Sequence, residues 1–408
     1  MNNILVIGAG SVGTLIGVSL VRAGFKVTFA GRSQSNYTKL IEQQGLKISY
    51  FTGESFWLSP SHSKIRFTDT QKYLPEKFDL IIVALKSNSL LKASSYIKEH
   101  STPETIIVHA QNGIPYWWFD DETYLQSLNG KLSKQLKKRR YLDSVDPQGI
   151  ILRKLGNRQL VGCVVKAPCQ KSQNGCIKVK KPPKLIMGLT KGGIADKKRK
   201  TVEKLCQIFS DHGLQAIYTD NIRAAVCNKL AINVTTNVLS ALTGSTIGDL
   251  TKNYAANNLI KTIIAEINYI FSFYAIKSKD LPTESRVYSY IQTSGSQSHL
   301  PSLAQDFWQH RQGEISLITA PVEMAKIANI SVPTLSSLSK LLQLGQEYTL
   351  NTNHQKSHIL TFDHFTGYYV LTNEVLDNYI FEGIHLSEVL THLVQINIST
   401  LDSLSYSA

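Results

Sequence analysis

Asn3-Ile4-Leu5-Val6-Ile7-Gly8-Ala9-Gly10-Ser11-Val12-Gly13 opens the chain with an apolar run and a glycine turn, and leads into a helical stretch, Thr14 to Ala23, which Gly24 closes. That order of strand, turn and helix is what gives a G-x-G-x-x-G pattern its meaning. The first glycine permits the tight turn, the second lets backbone N–H groups approach a pyrophosphate, and the third lets the helix pack closely on its strand. The six residues Gly8, Ala9, Gly10, Ser11, Val12 and Gly13 are therefore expected to hold a dinucleotide. The next strand, Lys26 to Ala30, is followed by Gly31-Arg32-Ser33 rather than by an acidic residue. A carboxylate there would bind the free ribose 2′-hydroxyl of NAD(H). The guanidinium of Arg32 suits a 2′-phosphate, so the expected cofactor is NADPH/NADP+.

Further short apolar runs, Lys64 to Phe67, Leu80 to Ala84 and Thr105 to Ala110, alternate with helical patterns such as Leu90 to His100. This alternation predicts an α/β domain with a doubly wound parallel sheet of the Rossmann type. Leu80-Ile81-Ile82-Val83-Ala84 is apolar on both faces, as a central strand is, and ends at Lys86-Ser87. Ligands of such sheets sit beyond the carboxyl ends of the strands, which places Lys86 and the turn Gln111-Asn112-Gly113 at the cofactor or substrate. From Tyr116 to Tyr141 the pattern breaks into Tyr116-Trp117-Trp118-Phe119, an acidic pair and a basic run. That stretch reads as an inserted loop or lid whose aromatics anchor it. Sheet-like segments resume at Gln159 to Val165 and Lys184 to Gly188, and a helix from Lys197 to His212 leads into Leu214 to Tyr218.

The first domain is expected over 1–220, with its insertion at about 116–141. An all-α domain follows over 221–350, and 351–408 forms an extension with no interpretable motif. With 408 residues and 42% hydrophobic content the chain has enough apolar surface for two cores. No apolar run is long enough to span a bilayer, and Met1-Asn2-Asn3 leads straight into the first strand, so the chain is expected to be cytoplasmic and not membrane-bound. The five cysteines form no Cys-x-x-Cys pair, and no metal is expected. The formal charge of +14 comes largely from Lys131 to Arg140, Lys178 to Lys184 and Lys197 to Lys200, which lack interleaved aromatics. A solvated basic face explains these runs, so no nucleic-acid partner is expected. A positive surface also steers an anionic cofactor and substrate.

Within Ala224 to Leu242, Lys229, Asn233 and Asn237 recur every four positions and form one slowly drifting stripe on an otherwise apolar helix. A buried polar stripe must face polar partners or a wet cleft. Two short amides there suit the holding of a ligand better than a merely solvated face, which recruits Glu and Lys.

These features together resemble the ketopantoate reductase (2-dehydropantoate 2-reductase) family. The resemblance is carried by Gly8-x-Gly10-x-x-Gly13, Lys86, Asn112-Gly113 and Asn228-Lys229-Leu230-Ala231-Ile232-Asn233-x-x-x-Asn237. It continues through Pro301-Ser302-Leu303-Ala304-Gln305-Asp306, Gly313-Glu314-Ile315 and Ala328-Asn329-Ile330-Ser331-Val332-Pro333, spanning roughly Asn3 to Leu350. It implies NADPH-dependent reduction of a small 2-keto acid, 2-dehydropantoate, to (R)-pantoate on the route to pantothenate and coenzyme A. Carried over, Lys229 is the general acid, and partial burial is expected to lower its pKa. Asn233, Asn237 and Ser302 hold the substrate. Glu314 lies near the cofactor ribose, Asn112 and Ala167 line the nicotinamide, and Arg32 and Lys86 meet the adenosine and phosphate end.

Bland readings stand beside these roles. Arg32 and Lys86 as surface charges, Ser302 as a helix cap, and Glu314 as an acid favoured near a helix N-terminus each need no ligand. The chain departs from the family at Ile247-Gly248-Asp249-Leu250, where an asparagine commonly contacts substrate, and at Pro115. The alternatives are a related NADP-dependent dehydrogenase of another 2-keto or hydroxy acid, and a non-catalytic NADP-binding regulator. A homodimer is compatible with either kind of protein.

Overall fold

A computed structural model of the chain describes residues 3–31, 44–156, 158–172, 175–192, 196–293, 300–351, 361–363 and 368–370. The chain divides into two compact units, Met1–Val226 and Cys227–Ala408, so the division falls within the helix Ile222–Asn233. Among the described residues, no helix is long and apolar enough to cross a membrane, and no cluster of His, Cys, Asp and Glu is arranged to hold a metal.

The strands of the first unit are β1 (Asn3–Ile7), β2 (Lys26–Gly31), β3 (Leu46–Ser49), β4 (Ser55–Leu58), β5 (Ile65–Asp69) and β6 (Leu80–Val83). They continue with β7 (Ile106–His109), β8 (Gln159–Lys166), β9 (Cys169–Lys171), β10 (Ile177–Val179), β11 (Lys184–Leu189) and β12 (Gln215–Tyr218). Eight of them form one sheet in the order β12-β11-β8-β7-β6-β1-β2-β5. From β8 to β5 every neighbour is parallel, as the alternating pattern predicts. At the other end the parallel pattern stops, since β11 runs antiparallel to β8. The central strands are apolar on both faces because both are covered: Ile4 to Ile7 and Leu80 to Val83 are at most 1% exposed.

A second, four-stranded sheet, β4-β3-β10-β9, is not among the sequence expectations. Its buried residues Leu46, Ile48, Leu58, Ile177 and Val179 join the main core, and it packs against helix α1 (Ser11–Arg22). α1 therefore has sheet on more than one side, and every residue from Gly13 to Val21 is buried. Its lack of a polar face follows from that position.

The 116–141 stretch is not a loop. It contains the helices Glu122–Gln126 and Gly130–Arg139, and Tyr116, Trp117, Trp118 and Phe119 are buried. The guanidinium of Arg223 holds this segment to the sheet. It lies 4.0 Å from the Tyr124 ring centroid and donates to the carbonyl oxygens of Trp118 and Thr190, both at 3.1 Å. Its ion pair with the buried Asp121 spans 3.5 Å, and Asp121 in turn accepts from the Gly192 N–H. The basic run lies on the exposed side of the second helix, where Lys137 and Arg140 pair with Glu122 and Arg139 pairs with Asp143.

The second unit is helical, as the sequence predicts. Ile222–Asn233 continues through a π-helical turn, Val234–Val238, into Leu239–Thr243, followed by Ile247–Lys252, Tyr254–Phe273, Glu284–Thr293, Ser302–Trp308, Ser316–Ala328 and Pro333–Asn351. Tyr254–Phe273 is amphipathic and buries Ile260, Ile263, Ile264, Ile267, Ile270 and Phe271. Its Glu266 caps the helix Pro333–Asn351 by accepting from the N–H groups of Thr334 and Leu335 at 2.9 and 2.8 Å. In the C-terminal extension, Thr361–Asp363 pairs antiparallel with Tyr368–Val370.

Candidate active site

The strand order reverses at β1, because the chain proceeds from β1 through β2 to β5 on one side and through β6, β7 and β8 on the other. The crevice for a ligand in such a sheet lies beyond the carboxyl ends at that reversal. The carboxyl ends of four neighbouring strands are tied there by backbone bonds, from Gly8 N–H to Ala30 O, Ala84 N–H to Ile7 O, and Ala110 N–H to Val83 O, each 2.9 Å. A fourth bond, from the Gln111 side-chain amide to Leu85 O at 2.6 Å, stitches the loops after β6 and β7 together.

The three glycines of the turn are not equivalent. Gly8 has φ +98°, and a Cβ there would lie 2.5 Å from the Ala84 carbonyl oxygen; a Cβ at Gly13 would lie 2.0 Å from the Gly8 carbonyl oxygen. Both are needed by the protein's own packing. At Gly10, which is exposed and has φ −78°, a Cβ would meet nothing within 4 Å among the described residues. The described residues give no internal reason for that glycine, and a ligand phosphate resting on the backbone supplies one. α1 begins without a capping side chain and without an acid in its first turn, so its N-terminal dipole end suits an anion. The turn therefore fits a dinucleotide. Gly17, which the motif does not include, shares the close packing, since a Cβ there would lie 2.3 Å from the Phe29 ring.

Lys86 is exposed at the residue before the helix Ser87–Glu99, beyond β6. Asn112 is half-buried beyond β7, and Ala167 lies directly after β8, partly buried against the core. Arg32 lies outside the described residues.

Beneath the Gln111-Asn112-Gly113 turn sits His109, a residue the sequence reading passed over. It is 4% exposed, with its ring 5.2 Å from that of Tyr116 and edge-on to it. Burial pushes its pKa down to about 4, with hydrogen bonding to Gln111 opposing the shift. The unfolded chain takes up this proton near pH 6.5 and the folded chain only near pH 4. The stability contributed by neutral His109 is thus fully present above pH 6.5 and is lost as pH falls towards 4. Wild type is expected to lose about 3 kcal/mol more than His109→Gln over that window, measured by urea unfolding at a series of pH values. Parallel pH profiles would show that His109 does not titrate differently in the two states.

In the second unit, Lys229 is half-buried, while Asn233 and Asn237 are 9% and 7% exposed. The drift expected of the stripe is about 40° for each four residues at 3.6 per turn. In the π turn, i→i+5 bonding places more residues in a turn, so each advances less and Asn237 does not follow the α-helical drift from Asn233. Asn233 Nδ2 is sealed from water and has no hydrogen-bond partner among the described residues. A buried amide donor left unmet is costly, and such groups mark places where a ligand or water completes the structure. On the adjacent face, Asn228 donates to the Asp280 carbonyl oxygen at 2.8 Å, holding the helix against its neighbours.

Ser302 is exposed at the first position of the helix Ser302–Trp308, which packs against the π turn and Leu239–Thr243. It follows Pro301, which occupies the N-cap, so Ser302 lies one position inside the helix and is not the capping residue. Glu314, 9% exposed, precedes the helix Ser316–Ala328 rather than lying within its first turn. Its loop is held by the Gly313 N–H, which donates to Gln346 at 3.0 Å, and by Gly313 itself, where a Cβ would lie 2.5 Å from Leu303. The elements that carry Asn237, Ser302 and Glu314 thus pack in one cluster. Ile247 is buried, 4% exposed, at the start of its helix and belongs to the core.

Comparison with known proteins bears on this site. The model of the family described as ketopantoate reductase PanE/ApbA matches residues 4–116, and that of its C-terminal domain matches residues 221–346. A 2-dehydropantoate 2-reductase of Mesorhizobium japonicum is 25% identical over 342 residues, covering 83% of this chain and 96% of the relative. A solved structure from Ralstonia solanacearum MolK2, provisionally named a ketopantoate reductase, superposes with a TM-score of 0.71 at 25% identity, covering 86% of this chain and 99% of that one. A D-mandelate dehydrogenase solved with NADH and anilino(oxo)acetate shares the fold, with a TM-score of 0.65 at 18% identity over 85% of this chain and 99% of that one.

Proposed function

Because the chain belongs to the ketopantoate reductase family, whose members are NAD(P)-dependent oxidoreductases, we propose that it reduces 2-dehydropantoate to (R)-pantoate with NADPH, on the route to pantothenate and coenzyme A. The observation that carries this reading is a polar face made of Lys229, Asn233 and Asn237 on a buried apolar helix, with one amide donor sealed and unmet. Such a face is suited to a small anionic carbonyl compound.

NADPH, when bound, supplies hydride to the keto carbon. As that carbon is reduced, negative charge collects on its oxygen, and Lys229 stabilises the charge and donates the proton that completes the alcohol. Asn233, Asn237 and Ser302 orient the carboxylate and hydroxyl so that the carbonyl is held in a reactive pose. Glu314 binds near the cofactor ribose and orients Lys229. The turn Gly8 to Gly13, with Arg32 and Lys86, holds the phosphates and the adenosine end, while Asn112 and Ala167 line the nicotinamide. Arg32 is the residue that supports NADPH over NADH, since a guanidinium pairs with a 2′-phosphate.

The purified protein is expected to consume NADPH on addition of 2-dehydropantoate, followed at the nicotinamide absorbance band, with kcat/KM at least about tenfold higher for NADPH than for NADH. Turnover of no 2-keto acid with either cofactor would remove the proposal. The panel should include other 2-keto acids, because the core position of Ile247 withdraws one polar contact that the family commonly makes with substrate.

A further inference from the structure

The π turn carries two consecutive threonines whose hydroxyls determine which atom Asn237 offers. Thr235 Oγ1 lies 2.8 Å from the Ala231 carbonyl oxygen and 3.0 Å from that of Ile232. Thr236 Oγ1 lies 2.7 Å from the Ile232 carbonyl oxygen and 3.0 Å from the Asn237 side-chain oxygen. Each hydroxyl has a single proton to donate. Two oxygens 2.7 Å apart with no proton between them repel, whereas 2.7 Å is the ordinary O–H···O distance. The Thr236 proton therefore belongs to the Ile232 carbonyl, and the Thr235 proton serves the shorter contact, Ala231.

Thr236 then presents only lone pairs to Asn237. An amide oxygen facing them is repelled, and an NH2 in the same place is bonded. The two ends of the amide exchange by a half-turn about its terminal torsion and are assigned by such networks. With the NH2 donating to Thr236 Oγ1, Oδ1 becomes the atom left for a ligand. Asn233, by contrast, holds an unmet NH2.

We infer that Thr236 is a positioning residue that turns the Asn237 carbonyl oxygen to the substrate, so that this face reads a substrate hydroxyl at Asn237 and an acceptor oxygen at Asn233. The inference rests on the reading of Lys229, Asn233 and Asn237 as the substrate face. It makes discrimination between a hydroxylated 2-keto acid and its deoxy analogue depend on Thr236, because a site built to accept a hydroxyl proton leaves a polar atom unpaired when that hydroxyl is missing.

The test compares 2-dehydropantoate, which is 4-hydroxy-3,3-dimethyl-2-oxobutanoate, with 3,3-dimethyl-2-oxobutanoate, which differs only in lacking the hydroxyl. Wild type is expected to prefer the hydroxylated acid by about a hundredfold or more in kcat/KM. Thr236→Val keeps the side-chain shape and removes the hydroxyl, and it is expected to cut that ratio by about tenfold or more with NADPH affinity unchanged; Thr236→Ser should restore the ratio. A merely structural role would lower activity on both acids alike. An unchanged ratio in Thr236→Val, with Lys229→Ala inactive, overturns the inference and leaves the reductase reading standing. A wild type that turns over neither acid overturns that reading and the inference with it. A neutron structure of the wild-type protein supplies a readout independent of any variant: deuterium on the Asn237 atom nearest Thr236 Oγ1 is expected, and an oxygen there would refute the assignment.

Discussion

Lys229→Ala is expected to lower kcat for 2-dehydropantoate by about 10²- to 10⁴-fold, the range in which a positioned general acid contributes, while the Kd for NADPH stays within about twofold. The asymmetry follows from where the residue sits. Lys229 belongs to the helical unit, on a face shared with two asparagines, and the dinucleotide turn is built from residues of the other unit. In the proposed reaction its ammonium is needed when charge develops on the substrate oxygen, a demand that exists only in the transition state. Arginine at the same position keeps the charge but is a poor proton donor, so Lys229→Arg should recover KM better than kcat. Titrating the cofactor by fluorescence and measuring single-turnover rates separates the two. Equal losses in kcat and in NADPH affinity would contradict the assignment.

The second large effect separates two glycines that look alike in the motif. Gly13→Ala places a carbon 2.0 Å from the Gly8 carbonyl oxygen, within rigid backbone, and should cost about 3 kcal/mol or more in stability. In a thermal melt that corresponds to a fall in Tm of about 6 to 12 °C. Gly10→Val meets no atom of the described residues within 4 Å at its Cβ, so its Tm should stay within about 2 °C of wild type while NADPH binding weakens by about a hundredfold or more. The pair is informative because stability and affinity move independently. Full NADPH affinity in Gly10→Val would mean that the nucleotide is not held on this turn.

How far the chain could be read in advance depended on how local each signal was. The turn Gly8 to Gly13, the central strand Leu80 to Val83 and the long helix Tyr254–Phe273 were legible because spacing and apolar periodicity are properties of neighbouring residues. Lys229, Asn233 and Asn237 were found in the same way. The small sheet was not, because its parallel pair joins Ile48 to Ile177, 129 residues apart, and neither short strand has a pattern that names its partner. The helices of the 116–141 stretch, which reads in sequence as an inserted loop or lid, are not legible for a related reason. Its aromatics and Arg223 explain one another only when Trp118, Tyr124, Asp121 and Thr190 converge on one guanidinium.

The chain's own order of residues determined an α/β nucleotide-binding unit followed by a helical one, and named the amine and the amides of the candidate site. Periodicity suffices for that, since strands and helices repeat over a few residues. Tertiary structure decided three things that spacing does not encode. Gly8 and Gly13 serve the fold while Gly10 stands open, because only packed neighbours reveal what a side chain would strike. Ile247 went to the core, because burial belongs to the assembled helices. The helix widened into a π turn at Val234–Val238, because a four-residue interval reads the same in either ladder until the carbonyl and hydroxyl partners are in place.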